Sequence, residues 1–324
     1  MAYAVVSSDS IYEMQVLGVR KINTKLQARF NDRFRIGSNT KAITGMLAAL
    51  LVKQGKLSWS TKFFDIFPEM RTHSRKEYYN YTLLDLLTFR TRFIRYTYTD
   101  ALPTKDQFKG DEQEQRYQFL QWVLQQSPVQ TNGISFSNPN YVAVGLMLER
   151  ISGKTYNQLV KELGQKLNID LDIGQPNAKD ITQTWGHNTS LTPEAPADNY
   201  KLNWLLSAGN INLTLPDYAK FIQLQLSGLQ GRSSMLNKEE FEFMHYGAPT
   251  AAIGWFWEKD EKGRLVSYST GNPGTFLAKV YIFKDENKAF IVLSNAQTDE
   301  ADKGMDILYT ELRKKYLKAT LSHK

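Results

Sequence analysis

The sequence predicts an α/β (α+β) architecture: an antiparallel sheet flanked by helices, with an inserted, mostly helical subdomain. Three observations predict it. Strand-like segments lie at both ends of the 324-residue chain, helix-periodic segments lie between them, and one helix near the start is apolar on nearly every side. The two ends then build one sheet, and the helical stretch is inserted into it. The expected boundaries are residues 1–60 and 206–324 for the sheet-bearing part and 61–205 for the insertion, with a cleft between them.

In chain order, residues 3–6 and 11–17 alternate like two strands around a Ser-Ser-Asp-Ser turn. An irregular segment then passes into the apolar helix after Ser38, which should stop at Gly55. Residues 56–67 open a helical and loop-rich stretch reaching about residue 205. Within it, 82–88, 116–126 and 141–151 carry apolar positions at helical spacing. Residues 170–200, rich in Asn, Asp, Pro, Thr and Gln, read as a long surface loop. An amphipathic helix over 216–226 should end at Gly228. Strands follow at 253–257, 264–268, 275–283 and 289–294, separated by short turns as in an antiparallel meander. A helix from about Glu300 to Tyr316 closes the chain.

Composition narrows the function. A hydrophobic fraction of 42% and an aromatic fraction of 12% are those of a globular protein with a substantial core. No apolar run is long enough to span a membrane, since Gly45 and Lys53 interrupt the helix after Ser38. The net charge of +7 is spread along the chain without an aromatic-interleaved basic patch, which argues against nucleic acid as a partner. There are no cysteines, so disulfides, thiolate metal sites and cysteine nucleophiles are excluded. The histidines His73, His187, His245 and His323 are scattered, as expected of surface or singly bonded side chains rather than metal ligands. No metal or organic cofactor is implied. No basic segment precedes an apolar one at the start, so no signal peptide is read in this chain.

Chemistry concentrates at Ser38 and Lys41. Three residues is close to one helical turn, so the amine falls on the face of the serine, at the positive end of the helix dipole. A lysine buried in that setting can lose its proton and activate the hydroxyl. The tetrapeptide alone reads better as an N-cap serine and an ordinary first-turn lysine. The segments around it decide.

Residues 34–44, 81–88 and 137–156, together with Ser207-Ala-Gly-Asn and the 216–221 segment, stand in an order that resembles the penicillin-recognising serine hydrolases. That family comprises class C β-lactamases, D-alanyl-D-alanine carboxypeptidases and related esterases, and the likeness runs over nearly the whole chain. It implies a serine β-lactamase/penicillin-binding-protein-like fold and a site in the cleft. Ser38 would be the nucleophile, Lys41 its base, and Asn138 a substrate- or lysine-orienting amide. The backbone N–H groups of Ser38 and Asn272 would form the oxyanion hole. Phe136, Ser269, Thr270 and Gly271 would line the substrate. It also implies a small ester, amide or peptide as substrate and a place in the periplasm or cell envelope.

Two departures stand against that pattern. The family's Tyr-x-Asn triplet is Phe136-Ser137-Asn138 here, so a proton-moving hydroxyl is missing. The usual Lys-Thr-Gly or His-x-Gly triplet is Ser269-Thr270-Gly271, so a basic side chain is missing too. The Thr88-Phe89-Arg90-Thr91-Arg92 stretch departs as well. Loss of one general acid–base partner typically costs about 10²–10⁴-fold, and loss of the cation weakens recognition of a carboxylate. Both point away from an efficient β-lactamase, leaving an acyl-enzyme hydrolase or an impaired, vestigial member that binds a ligand in the same cleft. Ser269 or water would have to relay the second proton. Tyr141 and the Tyr78-Tyr79-Asn80 triplet are candidate substitutes, Tyr141 being better read as packing.

Overall fold

The computed structural model describes residues 1–197 and 199–317. The chain opens with a hairpin of β1 (Ala2–Val6) and β2 (Ile11–Val16), closed by the Ser7 N–H donating to the Ser10 carbonyl at 2.8 Å. A short strand, β3 (Arg33–Arg35), leads through a 3-10 turn at Gly37–Asn39 into α1 (Thr40–Lys53). Burial follows composition: α1 is enclosed along most of its length, and Gly55 at φ +69° ends it in the left-handed region.

Next come α2 (Phe63–Ile66), α3 (Leu83–Leu87), α4 (Glu112–Gln125), α5 (Asn138–Ser152) and α6 (Tyr156–Leu167). The start of α3 is set by a capping box between Thr82 and Asp85, and the end of α5 by Gly153 at φ +68°. Helix α6 carries an equally clear start, a capping box of Thr155 and Gln158, which the apolar-spacing reading passed over.

The 170–200 segment is not a free surface loop. It holds β4 (Asp172–Ile173) and α7 (Pro176–Lys179), and Gln175, Asn177, Thr184 and His187 within it are buried. His187 pins it: Nδ1 donates to the Asn295 carbonyl at 2.7 Å, and Nε2 accepts from the Ile22 N–H at 3.0 Å. Those partners lie far off in sequence, so local composition carried no trace of them.

Then follow α8 (Tyr200–Trp204), α9 (Leu206–Gly209), β5 (Ile211–Thr214), α10 (Leu215–Leu229) and α11 (Lys238–Tyr246). β3, β5 and β4 form a small antiparallel sheet beside the main one. Gly228 does not end α10. Its missing Cβ leaves room for the Phe241 ring of α11, which would lie 2.1 Å from that atom, and the helix stops before Gly231 at φ +74°.

The last elements are β6 (Phe256–Lys259), β7 (Leu265–Gly271), β8 (Leu277–Phe283), β9 (Lys288–Ser294) and α12 (Asp299–Tyr316). The strand expected over 253–257 begins only at Phe256, because Gly254, at φ +79°, is turned against α1. A Cβ there would lie 2.6 Å from the Lys41 carbonyl. The main sheet is antiparallel, in the order β2-β1-β9-β8-β7-β6, so the two chain ends do meet in it through β1 and β9.

Period-two alternation divides the sheet between two cores. Ala2, Ala4 and Val6 of β1 and Ala289, Ile291 and Leu293 of β9 join the large core that includes α1 and α10. Tyr3, Val5, Phe290 and Val292 face the other way, with Met305 and Leu312 of α12. The fold is therefore a mixed α/β arrangement, an antiparallel sheet with helices on both faces. No described helix is long and apolar enough to cross a membrane.

Candidate active site

Ser38 sits on the 3-10 turn that joins β3 to α1, and Gly37 before it adopts φ +52°, a conformation glycine takes without cost. One turn on, Lys41 is 7% exposed and reaches back to the serine. Its Nζ lies 2.9 Å from Ser38 Oγ, 2.8 Å from Asn138 Oδ1 and 2.8 Å from the Ala208 carbonyl. Burial pushes the amine down to about 7. A neutral amine has two N–H donors and one lone pair. The two oxygens that can only accept, those of Asn138 and Ala208, take the donors. The lone pair is then left for the Ser38 hydroxyl proton.

Asn138 is the first residue of α5, and its orientation is fixed from behind. Nδ2 donates to the Tyr96 carbonyl at 2.8 Å, which turns Oδ1 toward Lys41. Further along α5, the Tyr141 hydroxyl donates to the Leu87 carbonyl and accepts from the Gly254 N–H, and burial pushes its pKa up. It is a packing residue whose ring lies 5.5 Å from the Lys41 amine. The hydroxyls of Tyr78 and Tyr79 are spent on the carbonyls of Gln126 and Arg71, and Asn80 accepts from Lys62. None of the three lines the cleft.

The end of β7 closes on the serine turn. A Cβ on Gly271 would stand 1.9 Å from the Ile36 carbonyl oxygen and 2.9 Å from the Ser38 nitrogen; one on Gly37 would stand 2.7 Å from the Asn272 nitrogen. Only glycines permit this approach, and it brings the backbone of Ser38 and Asn272 side by side. They open on a cavity of about 750 Å³, whose walls include Ser38, Tyr98, Asn138, Thr270, Gly271 and Asn272.

The structure thus gathers six of the eight residues expected from sequence: Ser38, Asn138, Thr270, Gly271 and Asn272 on one cavity, with Lys41 behind the serine. The other two go elsewhere. The Phe136 ring, 49% exposed, does not line the cavity and stands edge-on to Phe89 and Phe256. Ser269 is buried, and its hydroxyl donates to Asn39 Oδ1 at 2.9 Å, while Asn39 Nδ2 donates to the Tyr218 hydroxyl. A serine side chain committed there relays no proton to the cleft.

Tyr98 and the charged trio Lys279, Asp302 and Asp306 were not foreseen. Lys279 lies in the cavity wall with its Nζ 2.8 Å from Asp302 and 2.6 Å from Asp306. The one available signal was the alternation that sets Lys279 opposite Thr270 on the neighbouring strand. The variant 88–92 stretch is tied down by Arg90, which donates to the carbonyls of Thr88, Ala251 and Pro249.

None of the described histidines lines the cavity. His245 is enclosed, with Nδ1 2.7 Å from Ser267 Oγ and Nε2 3.2 Å from Gln225 Oε1, and burial pushes it down to about 3. Like His187 it is buried with two partners, not superficial or singly bonded; His73 is exposed and His323 lies outside the described residues. Among the described residues no group of three or more His, Cys, Asp or Glu side chains is placed to hold a metal ion.

Residues 1–313 match the family model described as Beta-lactamase. Protein flp of Staphylococcus aureus (strain MW2) is 23% identical over 320 residues, which is 95% of this chain but 62% of that protein. The chain therefore spans less than two thirds of the length of this curated relative. The fold is similar to that of the beta-lactamase from Sulfitobacter sp. EE-36, with a TM-score of 0.77 and 17% identity over 97% of this chain and 92% of that one. It is equally similar to the beta-lactamase/D-alanine carboxypeptidase from Pseudomonas syringae, with a TM-score of 0.77 and 15% identity over 98% of this chain and 94% of that one.

Proposed function

The chain belongs to the beta-lactamase family, and from that premise we propose that it is a serine hydrolase working through an acyl-enzyme on Ser38. The observation that carries the proposal is the buried Lys41 amine 2.9 Å from the Ser38 hydroxyl, its pKa pushed down to about 7 by burial. In this reading Lys41 takes the hydroxyl proton as Oγ adds to the substrate carbonyl. The tetrahedral oxyanion is met by the N–H groups of Ser38 and Asn272. The intermediate then collapses, the carbonyl–leaving-group bond breaks, and the proton on Lys41 passes to the departing group directly or through a water. A second water, deprotonated by Lys41, releases the acid product and frees Ser38.

The substrate follows from what the site lacks. With no hydroxyl at Phe136 and the Ser269 hydroxyl committed to Asn39, Lys41 is the acid for the leaving group. An alcohol departs as an alkoxide with less help than an amine needs, so esters suit the site better than amides. A substrate carboxylate meets a cleft cation, Lys279, already bonded to two aspartates. A small neutral ester is the favoured class. The same two departures support a second reading, a cleft that binds a ligand without turning it over.

Intact-mass measurement after exposure to a fluorophosphonate, and separately to a labelled penicillin, tests the proposal. Attack of Ser38 Oγ on phosphorus would expel fluoride and leave a stable phosphonyl adduct, absent from Ser38→Ala. The expected result is rapid Ser38-dependent capture of the phosphonate and slow capture of the penicillin. No adduct with either reagent overturns the hydrolase reading and leaves the binding one.

A further inference from the structure

One short piece of chain touches both halves of the site. The Ile94 carbonyl accepts from Ser137 Oγ at 2.7 Å, and the Tyr96 carbonyl accepts from Asn138 Nδ2 at 2.8 Å, the amide whose other end holds Lys41. Two residues on, Tyr98 enters the cavity wall, and its hydroxyl donates to Asn272 Oδ1 at 3.2 Å. The segment is itself fixed at this point: the Thr97 N–H donates to Asp100 Oδ2 at 2.6 Å, and the Asp100 N–H to the Thr97 carbonyl at 3.3 Å.

The turn after β7 leans on that tyrosine twice. Asn272 Oδ1 accepts from the Gly274 N–H at 2.9 Å as well as from the phenol. Gly274 adopts φ +97°, and a Cβ there would stand 2.8 Å from the Tyr98 ring, so the ring rests on the backbone of the turn. Pro273 between them has no N–H to contribute. Without Tyr98, the Asn272 side chain would keep a single described hydrogen bond, internal to a three-residue turn. A backbone N–H stabilises an oxyanion only when it is already aimed before the charge develops.

We infer that Tyr98 is a positioning residue for the oxyanion donor at Asn272, an assignment that rests on the serine-hydrolase reading of Ser38. The 94–98 strap sets Asn138 through a carbonyl and Asn272 through a phenol, so the base and the oxyanion donor are registered against each other by one segment. Tyr98 acts through Asn272 and not on substrate, because its hydroxyl proton is engaged by the asparagine amide, with the Gln297 side chain as the phenol's other neighbour.

The test uses the full chain and the second-order rate of fluorophosphonate capture, since the phosphonyl oxygen occupies the oxyanion position. Tyr98→Phe keeps the ring on Gly274 and deletes only the hydroxyl; Asn272→Ala keeps the backbone N–H and deletes that same bond from its other end, together with the one from the Gly274 N–H. The expected results are an approximately tenfold slower capture by Tyr98→Phe with an unchanged melting temperature, a loss at least as large in Asn272→Ala, and no further loss in the double variant. In hydrolysis of p-nitrophenyl acetate the fall should lie in kcat, with KM held. Capture by Tyr98→Phe at the wild-type rate, or losses that multiply in the double variant, would overturn the assignment while leaving Ser38 as nucleophile. Absence of capture by the wild type itself overturns the underlying reading, and the role of Tyr98 with it.

Discussion

The hydrogen-bond partners of the Lys41 amine are all neutral oxygens: a hydroxyl, an amide and a backbone carbonyl. Dipoles of this kind orient an ammonium but do not repay the cost of burying a full charge, and burial accordingly holds the group near 7. If the neutral amine is the base, capture of a fluorophosphonate should rise about tenfold per pH unit below 7 and level off above it. Asn138→Asp places a carboxylate where the amide oxygen now sits, 2.8 Å from Nζ. The opposite charge favours the protonated lysine, so its pKa rises and the ascending limb should move above pH 8. A limb that stays near 7 in that variant would exclude Lys41 as the group being read. Much of this was legible, because the serine–lysine pair is one helical turn apart and needs no tertiary knowledge. The fate of Ser269 was not, since its partner Asn39 lies 230 positions away. Tyr98 was hidden for the same reason: nothing local links it to Asn272.

Among the elements, most of those with repeated apolar spacing are legible in the sequence, while the short ones held by distant partners are not. Helix α6 is legible twice over, by its cap and by the helical spacing of its buried Tyr156, Leu159, Val160 and Leu163, and α11 is marked by Asn237 and Glu240 at its start. The clearest misreading is instructive physically. A glycine near the end of an amphipathic run is usually a stop, but Gly228 is a point of close approach for the Phe241 ring, and Gly231 provides the stop. The two roles make opposite predictions. At a left-handed stop, Gly228→Ala would strain the backbone and leave α11 untouched. At a contact it drives a methyl group into an aromatic ring, an overpacking that costs about 1–3 kcal/mol. Urea unfolding should show that loss for Gly228→Ala, and Phe241→Leu on the same background should recover part of it. A loss indifferent to residue 241 would refute the contact.

At the scale of the whole molecule, the sheet could be anticipated from strands at both chain ends, yet its two-sided core could not. Alternation says which residues share a face, but only the packing says that one face meets α1 and α10 and the other α12. That division matters for the cleft, because α12 and β8 together decide its charge. Lys279 is on the strand opposite Thr270, its side chain only 11% exposed, and α12 supplies Asp302 and Asp306, each at least half exposed. The two carboxylates occupy the ammonium that would otherwise meet an anionic substrate. Neutralising both, as Asp302→Asn with Asp306→Asn, leaves the cation in place and frees it. A hydrogen bond to a charged group contributes about 1.5–3 kcal/mol, so capture of a labelled penicillin should accelerate by at least about tenfold. Hydrolysis of neutral p-nitrophenyl acetate should change little. The gain should also shrink with added salt, since the Debye length falls to about 3 Å at 1 M. Equal acceleration of both substrates would instead mean that the aspartates restrain the shape of the cleft. No acceleration of either would place the selectivity elsewhere, in the missing cation at Ser269.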